Sequence, residues 1–270
     1  MADILVVGNY CHDTIYTRRG THRWAGGSSL YIGAVLTSLD AEFDVVAHVG
    51  ADFAYEGAVT KPARVIEGRR TTACIDDYRS GARLEKFEAL CAPIRPDDLP
   101  EKIEIGLACA IAGEILPETF NVLRERSAIL IADAQGLLRA IDDSGRVRLV
   151  KLTDTDFAKT ASRLDFIKAN EEEAKFLDIQ ELRKSVGVII TREKKGCIFL
   201  DAKGDIEIPG YPVDAIDPTG AGDSFTGGFS YGLQRGWSLN KALRLANLCG
   251  SAAVRGPGPA ILAEIDLEGL

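Results

Sequence analysis

The chain has 270 residues, 46% hydrophobic and 27% charged, which is enough to bury a sizeable core and leaves no long polar or Pro/Gly/Ser tract for a disordered linker. A formal net charge of −8 provides no basic field for a phosphate backbone or an anionic membrane, so neither nucleic acid nor membrane is expected as a partner. Six cysteines (Cys11, Cys74, Cys91, Cys109, Cys197, Cys249) without a CxxC pair, and three histidines without an HExxH arrangement, argue against zinc-site and triad-hydrolase chemistry and predict reduced, buried thiols.

The opening MADILVVGNY lacks the basic and long apolar regions of a signal peptide, and no run approaches about 18 apolar residues, so a cytoplasmic location is expected. The first strand is Ile4–Val7, a short apolar run closed by Gly8 and Asn9. Similar runs recur at Val45–Val49, Ala108–Ala112, Ile129–Ala132, Phe166–Lys168 and Val188–Thr191, with helix-compatible stretches between most of them. That alternation predicts an α/β fold with a mostly parallel sheet and helices on both faces.

From Ala63 to Cys91 the pattern changes to alternating apolar and polar residues with a turn at Ser80–Gly81, which reads as antiparallel hairpin strands. Such a sheet is either a lid over a ligand site or an edge extension of the main sheet; the lid is favoured because lids that exclude water commonly accompany phosphoryl transfer. In the last third, Phe225, Phe229 and Leu233 at i, i+4, i+8 predict a helix from about Gly222 to Arg235, with Gly236 at its C-terminal cap. Ser238 then caps a second helix whose apolar stripe is Leu239, Ala242, Leu243, Ala246 and Cys249.

The segment Asp217-Pro218-Thr219-Gly220-Ala221-Gly222-Asp223-Ser224-Phe225 leads a two-glycine turn straight into the first of these helices. Free amides at a helix N-terminus, with the positive end of its dipole, suit a phosphate or the charge that develops as a phosphoryl group moves. Asp223 in the first turn is held beside that site, which fits a general base; the plainer reading is a capping acid in a Gly-rich turn. There is no Gly-Lys dipeptide, hence no Walker A loop, and Phe225 stands where the dinucleotide fingerprint needs glycine, so a nicotinamide oxidoreductase is disfavoured.

D-P-T-G-A-G-D-S-F followed by a Gly-Gly helix resembles the C-terminal signature of the ribokinase-like (PfkB) family of carbohydrate kinases. The resemblance extends to V-V-G-N-Y-C-H-D at the first strand and to the pair Gly26-Gly27. It implies a doubly wound α/β kinase domain over residues 1–270, with a β lid formed mainly by about residues 63–92 and a further contribution considered from residues 14–25. It also implies Asp223 as the base, the amides of Gly220, Ala221 and Gly222 as the anion hole, and ATP and Mg²⁺ as the donor pair. Asn170 and Glu173 match the family's N-x-x-E motif, which would organise magnesium and phosphate through water; alone, the same residues read as a helix start with Asn capping.

By the same resemblance Thr191 and Gly196 lie along the nucleotide phosphates and Asn247 beside the adenine, while Lys194 and Lys195 read more simply as solvated turn charges. Asp217 and the turn Gly256-Pro257-Gly258 resemble elements that bind a monovalent cation such as K⁺ in some members. Asp13 matches the carboxylate that grips acceptor hydroxyls next to Gly26 and Gly27. Ser28-Ser29-Leu30-Tyr31 departs from ribokinases proper, whereas G-N-Y-C-H-D, G-G-S-S-L-Y-I and Asp133-Ala134-Gln135-Gly136-Leu137-Leu138-Arg139 look most similar to the plant-type myo-inositol 3-kinase branch. The expected reaction is therefore ATP-dependent phosphorylation of a polyol hydroxyl, myo-inositol first, with another sugar or nucleoside, or a non-catalytic homologue, as alternatives. A homodimer paired through the lid is the one protein partner the resemblance suggests.

Overall fold

The computed structural model describes residues 3–18, 20–80, 84–262, 265 and 267. Its centre is an eight-stranded sheet in the order Gly204–Ile208, Cys197–Asp201, Gly187–Thr191, Phe166–Asn170, Ser127–Asp133, Ile103–Ala108, Ile4–Val7, Phe43–Val46. The six strands from Gly187–Thr191 to Phe43–Val46 pair in parallel, and the two at the other edge are antiparallel. The expected mostly parallel sheet is thus present.

Strand alternation divides the core into two layers. Ile4, Val6, Ile131 and Phe166 face the helices Ser28–Ser38, Ala221–Gln234 and Leu239–Ala253, whereas Leu5, Val7, Leu130, Ala132 and Ile167 face the opposite layer around Phe120 and Leu123. Phe166 meets Phe229 edge-on with ring centroids 5.1 Å apart, which fixes the Ala221–Gln234 helix over the strand ends. The two C-terminal helices match their expected spans, with Gly236 at φ +66 ending the first and the Ser238 hydroxyl accepting from Lys241 N at the start of the second.

A four-stranded sheet, ordered Gly20–Gly26, Cys11–Thr17, Thr72–Asp77, Leu84–Ala89, lies apart from the central one. Half of it comes from residues 11–26, where the sequence pattern drew attention mainly to residues 63–92. Within that latter stretch Arg64–Ile66 pairs in parallel with His48–Gly50 instead of forming a hairpin with its neighbours. The turn placed at Ser80–Gly81 runs into residues 81–83, outside the described residues.

Two expected strands have different limits. Val45–Val49 is divided at Ala47, because His48 N donates to Asn9 Oδ1 at 2.7 Å and the chain leaves the central sheet. Ala108–Ala112 begins where the true strand, Ile103–Ala108, ends: the amides of Ile111 and Ala112 donate to the buried Glu114 carboxylate at 3.0 and 2.8 Å, folding the apolar run into a loop. All six cysteines are free and buried.

Candidate active site

A cavity of about 940 Å³ opens at the C-terminal ends of the parallel strands, lined from one side by the central sheet and its Ala221–Gln234 helix and from the other by the four-stranded sheet. Both ends of the sequence reading converge here: Asp13, Gly27, Asn170, Glu173, Thr191, Gly196, Gly220–Asp223 and Asn247 all line it.

At the turn, Gly220 has φ +77 and serves as N-cap of the Ala221–Gln234 helix. A side chain there would be strained, and its Cβ would lie 2.2 Å from the ring of Tyr31, so glycine is required for both conformation and contact. Gly222 is glycine for another reason: a Cβ on it would sit 2.8 Å from Lys168 Nζ. The first i→i−4 bond of this helix is Ser224 N to Gly220 O at 2.8 Å, so the amides of Gly222 and Asp223 precede the helical ladder. Ala221 N, by contrast, donates to Pro218 O at 3.3 Å and closes the turn.

Asp223 stands in the first turn of that helix, where burial pushes its carboxyl above the ordinary aspartate range while the nearby Lys168 ammonium pulls it down. Lys168 is itself buried and bonds Asp133 Oδ2 at 2.6 Å. Burial disfavours its charge, but the carboxylates of Asp133, Glu173 and Asp223 outweigh that and hold its pKa above that of an ordinary lysine. The pair is a product of register: Asp133 and Lys168 are partners on adjacent parallel strands and share the face that carries Ile131 and Phe166.

On the acceptor side, Asp13 is seated against Gly26, whose missing side chain makes the room: a Cβ there would lie 1.9 Å from Asp13 Oδ2. Gly27 has φ +100 and precedes the Ser28–Ser38 helix. Cys11 Sγ donates to Asp13 Oδ1 at 2.9 Å. Two further carboxylates, Asp76 and Glu85, enter from the four-stranded sheet, and Arg139 of the central body bridges to Glu85 at 2.8 Å and to Ile111 O at 2.7 Å. Tyr31 Oη is buried with no hydrogen-bond partner among the described residues; its pKa is pushed up by burial and then by the negative charge of Asp13, Asp217 and Asp223.

The N-x-x-E residues form a reciprocal cap. Asn170 Oδ1 accepts from the amides of Glu172 and Glu173 at 2.9 Å, and Glu173 Oε2 accepts from Asn170 N at 2.9 Å. Burial, then Asp133, raises the carboxyl of Glu173 above the ordinary glutamate range. Thr191 Oγ1 donates to Ala169 O at 3.3 Å, Gly196 has φ +90, and Lys194 and Lys195 are exposed on the turn between them. Asn247 Nδ2 donates to Ile208 O and Pro209 O at 3.2 and 3.1 Å, pinning the chain after the last strand of the central sheet. Asp217 Oδ1 accepts from Thr219 N at 2.9 Å.

Lys168, Asp76 and Glu85 were not singled out by the sequence. A lysine closing an otherwise apolar buried strand, beside an aspartate closing the next, is the signal that was available for Lys168. Asp76 and Glu85 gave none, because the alternating pattern of their hairpin strands does not tell which of its polar residues face the ligand site.

Residues 88–266 match the family described as pfkB family carbohydrate kinase. The chain belongs to that family. The kinase is 36% identical over 261 residues to the inositol 3-kinase of Arabidopsis thaliana, covering 93% of this chain and 73% of that one. It is 38% identical over 270 residues to the inositol 3-kinase of Oryza sativa subsp. japonica, covering 93% and 68%. Among solved structures it superimposes on a pyrophosphate-dependent kinase in the ribokinase family, complexed with a pyrophosphate analog and myo-inositol, with TM-score 0.82 at 22% identity over 95% of this chain and 96% of that one. A nucleoside kinase from Burkholderia thailandensis in complex with inosine gives TM-score 0.79 at 21% identity over 96% and 93%. At such identities the likeness concerns the fold, which is ribokinase-like, as the D-P-T-G-A-G-D-S-F signature implied.

Proposed function

We propose that the kinase transfers the γ-phosphoryl group of ATP to a ring hydroxyl of unphosphorylated myo-inositol, with Asp223 as general base. The observation that carries this reading is the sharing of one cavity by Asp223, the helix-start amides beside it, and the acceptor-side carboxylate Asp13. Inositol 3-kinases from three plants at 35–38% identity support myo-inositol as the acceptor. The pocket chemistry agrees: Asp13, Asp76 and Glu85 suit hydroxyl donors, and Arg139 on that side is already held by Glu85, which disfavours an acceptor that carries its own phosphate.

In this reading Asp13, seated by Gly26, accepts from acceptor hydroxyls and orients the ring. The attacking hydroxyl gives its proton to Asp223 as its oxygen bonds phosphorus, and the bond to the ADP oxygen breaks. The amides of Gly222 and Asp223 at the helix start face the charge on the transferring group, and the four-stranded sheet acts as a lid that keeps water out. Asn247 and the Thr191–Gly196 turn border the nucleotide.

Magnesium fits beside Glu173. Oε2 of that carboxylate accepts from the Asn170 amide, which would leave Oε1 for a water-held cation, and the negative charge that Asp133, Glu173 and Asp223 bring to Lys168 would favour added positive charge. When bound, magnesium would neutralise donor phosphate charge. Asp217, whose Oδ1 accepts from Thr219 N, would help to hold a potassium ion, whose charge would steady the turn.

The test mixes the protein with ATP, Mg²⁺ and a panel of myo-inositol, ribose, fructose and nucleosides, with and without K⁺, and follows ADP. ADP release with myo-inositol exceeding that with the others is expected, and Asp223→Asn should remove about 10³-fold or more of kcat while nucleotide still binds. Turnover with a different panel member moves the acceptor assignment, and an unimpaired Asp223→Asn ends the base assignment.

A further inference from the structure

The Asp133–Lys168 pair is a feature of the cavity that the transfer scheme above leaves without a role. Its ammonium is buried, directed by a 2.6 Å bond to Asp133 Oδ2, and lies so close to the glycine turn that only the absence of a Cβ at residue 222 admits it. An ammonium has three donors, and the bond to Asp133 uses one. The pair lines the same cavity as Asp223 and sits on the sheet face beneath the start of the Ala221–Gln234 helix.

We propose that Lys168 is a catalytic cation of this kinase, donating to an oxygen of the phosphoryl group in transit, and that Asp133 is the positioning residue that aims it. The inference rests on the reading of Asp223 as base and deepens it.

The physical case has three parts. Helix-start amides alone offer partial charge, whereas a full positive charge in a cavity shielded from water stabilises a spreading anionic transition state far more. The energetics of a buried pair point the same way: taking both ions from water costs several kcal/mol each, and an apolar pair of similar volume commonly serves stability as well or better. Retaining the ions at the catalytic end of the strands, instead of continuing the Ile and Ala pattern beneath, is explained by a need for charge there. Third, Lys168 lines the same cavity as Asp223, and its positive charge acts on that carboxyl as well as on Asp133, so the ammonium also favours the ionised base before the hydroxyl proton arrives. No proton leaves Lys168 in the step: the hydroxyl proton goes to Asp223, the new oxygen–phosphorus bond forms, and the ADP oxygen departs with its electron pair.

Lys168→Met, Lys168→Arg, Asp133→Asn and Asp223→Asn are compared by thermal melting, by kcat and KM for the polyol, and by calorimetric titration of ADP with Mg²⁺ in the presence and absence of aluminium fluoride. Lys168→Met should lower kcat about 100-fold with polyol KM within about threefold, and should abolish the tightening of ADP by fluoride. Lys168→Arg should recover part of both, and Asp133→Asn should lose about tenfold in kcat with a reduced fluoride effect. A Lys168→Met enzyme with unchanged kcat and unchanged fluoride tightening overturns the inference. If Lys168→Met does not fold, wild-type values in both Lys168→Arg and Asp133→Asn overturn it instead. Loss of turnover in Asp223→Asn with an unaffected Lys168→Met removes the lysine alone, whereas an active Asp223→Asn removes the base on which it rests.

Discussion

The two ends of the cavity are assembled by opposite means. At the turn, consecutive residues from Asp217 to Phe225 supply the backbone conformation, the free amides and the acid, so local sequence contains most of the geometry. At the acceptor end, Asp13, the hairpin partners Asp76 and Glu85, and Arg139 come from three separate stretches of the chain and meet only through pairing of the four-stranded sheet and its bridge to the body. A backbone-built site tolerates little change in its glycines, and a site built from side chains can change its acceptor while leaving the transfer chemistry alone.

The contrast can be broken most sharply at Gly222. Gly222→Ala places a methyl 2.8 Å from Lys168 Nζ, so that the ammonium must shift, and should lower kcat by about 100-fold with little loss of stability, measured by steady-state kinetics beside a melting curve. Gly220→Ala should instead act on the fold, costing about 1–3 kcal/mol through its left-handed φ, and melting separates the two glycines. If both variants lose stability alike, the glycines do not have separate jobs.

On the acceptor side, Arg139→Met leaves Glu85 without its cation and should raise polyol KM about tenfold with kcat changed far less; equal losses in both would place Arg139 in the transfer step. The pH profile gives a smaller effect. Burial raises Asp223, so the ionised base is lost at a higher pH than for an ordinary aspartate as the solution is acidified. The acid limb of kcat/KM should accordingly lie above the usual carboxylate range, and an acid limb at or below that range would contradict the environment described for Asp223. Smallest of all, Asn170→Ala removes a cap and should cost about 1 kcal/mol; a rise in KM for MgATP beyond that separates a metal-organising role from simple capping.

Much of the fold could be read from the sequence because buried parallel strands are short apolar runs and both C-terminal helices carry stripes and caps. The strand limits failed where a polar group captured backbone: Glu114 receives the Ile111 and Ala112 amides, and Asn9 receives that of His48, across sequence distances that no local pattern reports. Asp223 was legible because a helix start fixes a first-turn side chain. Lys168 was not, because its meaning depends on a neighbour 35 residues away in register and on a missing Cβ across the cavity. The half of the four-stranded sheet contributed by residues 11–26 was likewise underweighted, since Cys11–Thr17 acquires its place only by pairing in parallel with Thr72–Asp77.

The buried thiols turn the molecule into its own opening gauge. Cys11 and Cys74 belong to the four-stranded sheet and border the cavity, while Cys249 is buried within the helix layer against Gly228, and burial raises the pKa of all three so that little thiolate exists to react. A thiol-specific reagent must therefore wait for a fluctuation, and the ratio of its reaction at Cys74 to that at Cys249 compares opening at the four-stranded sheet with opening of the body.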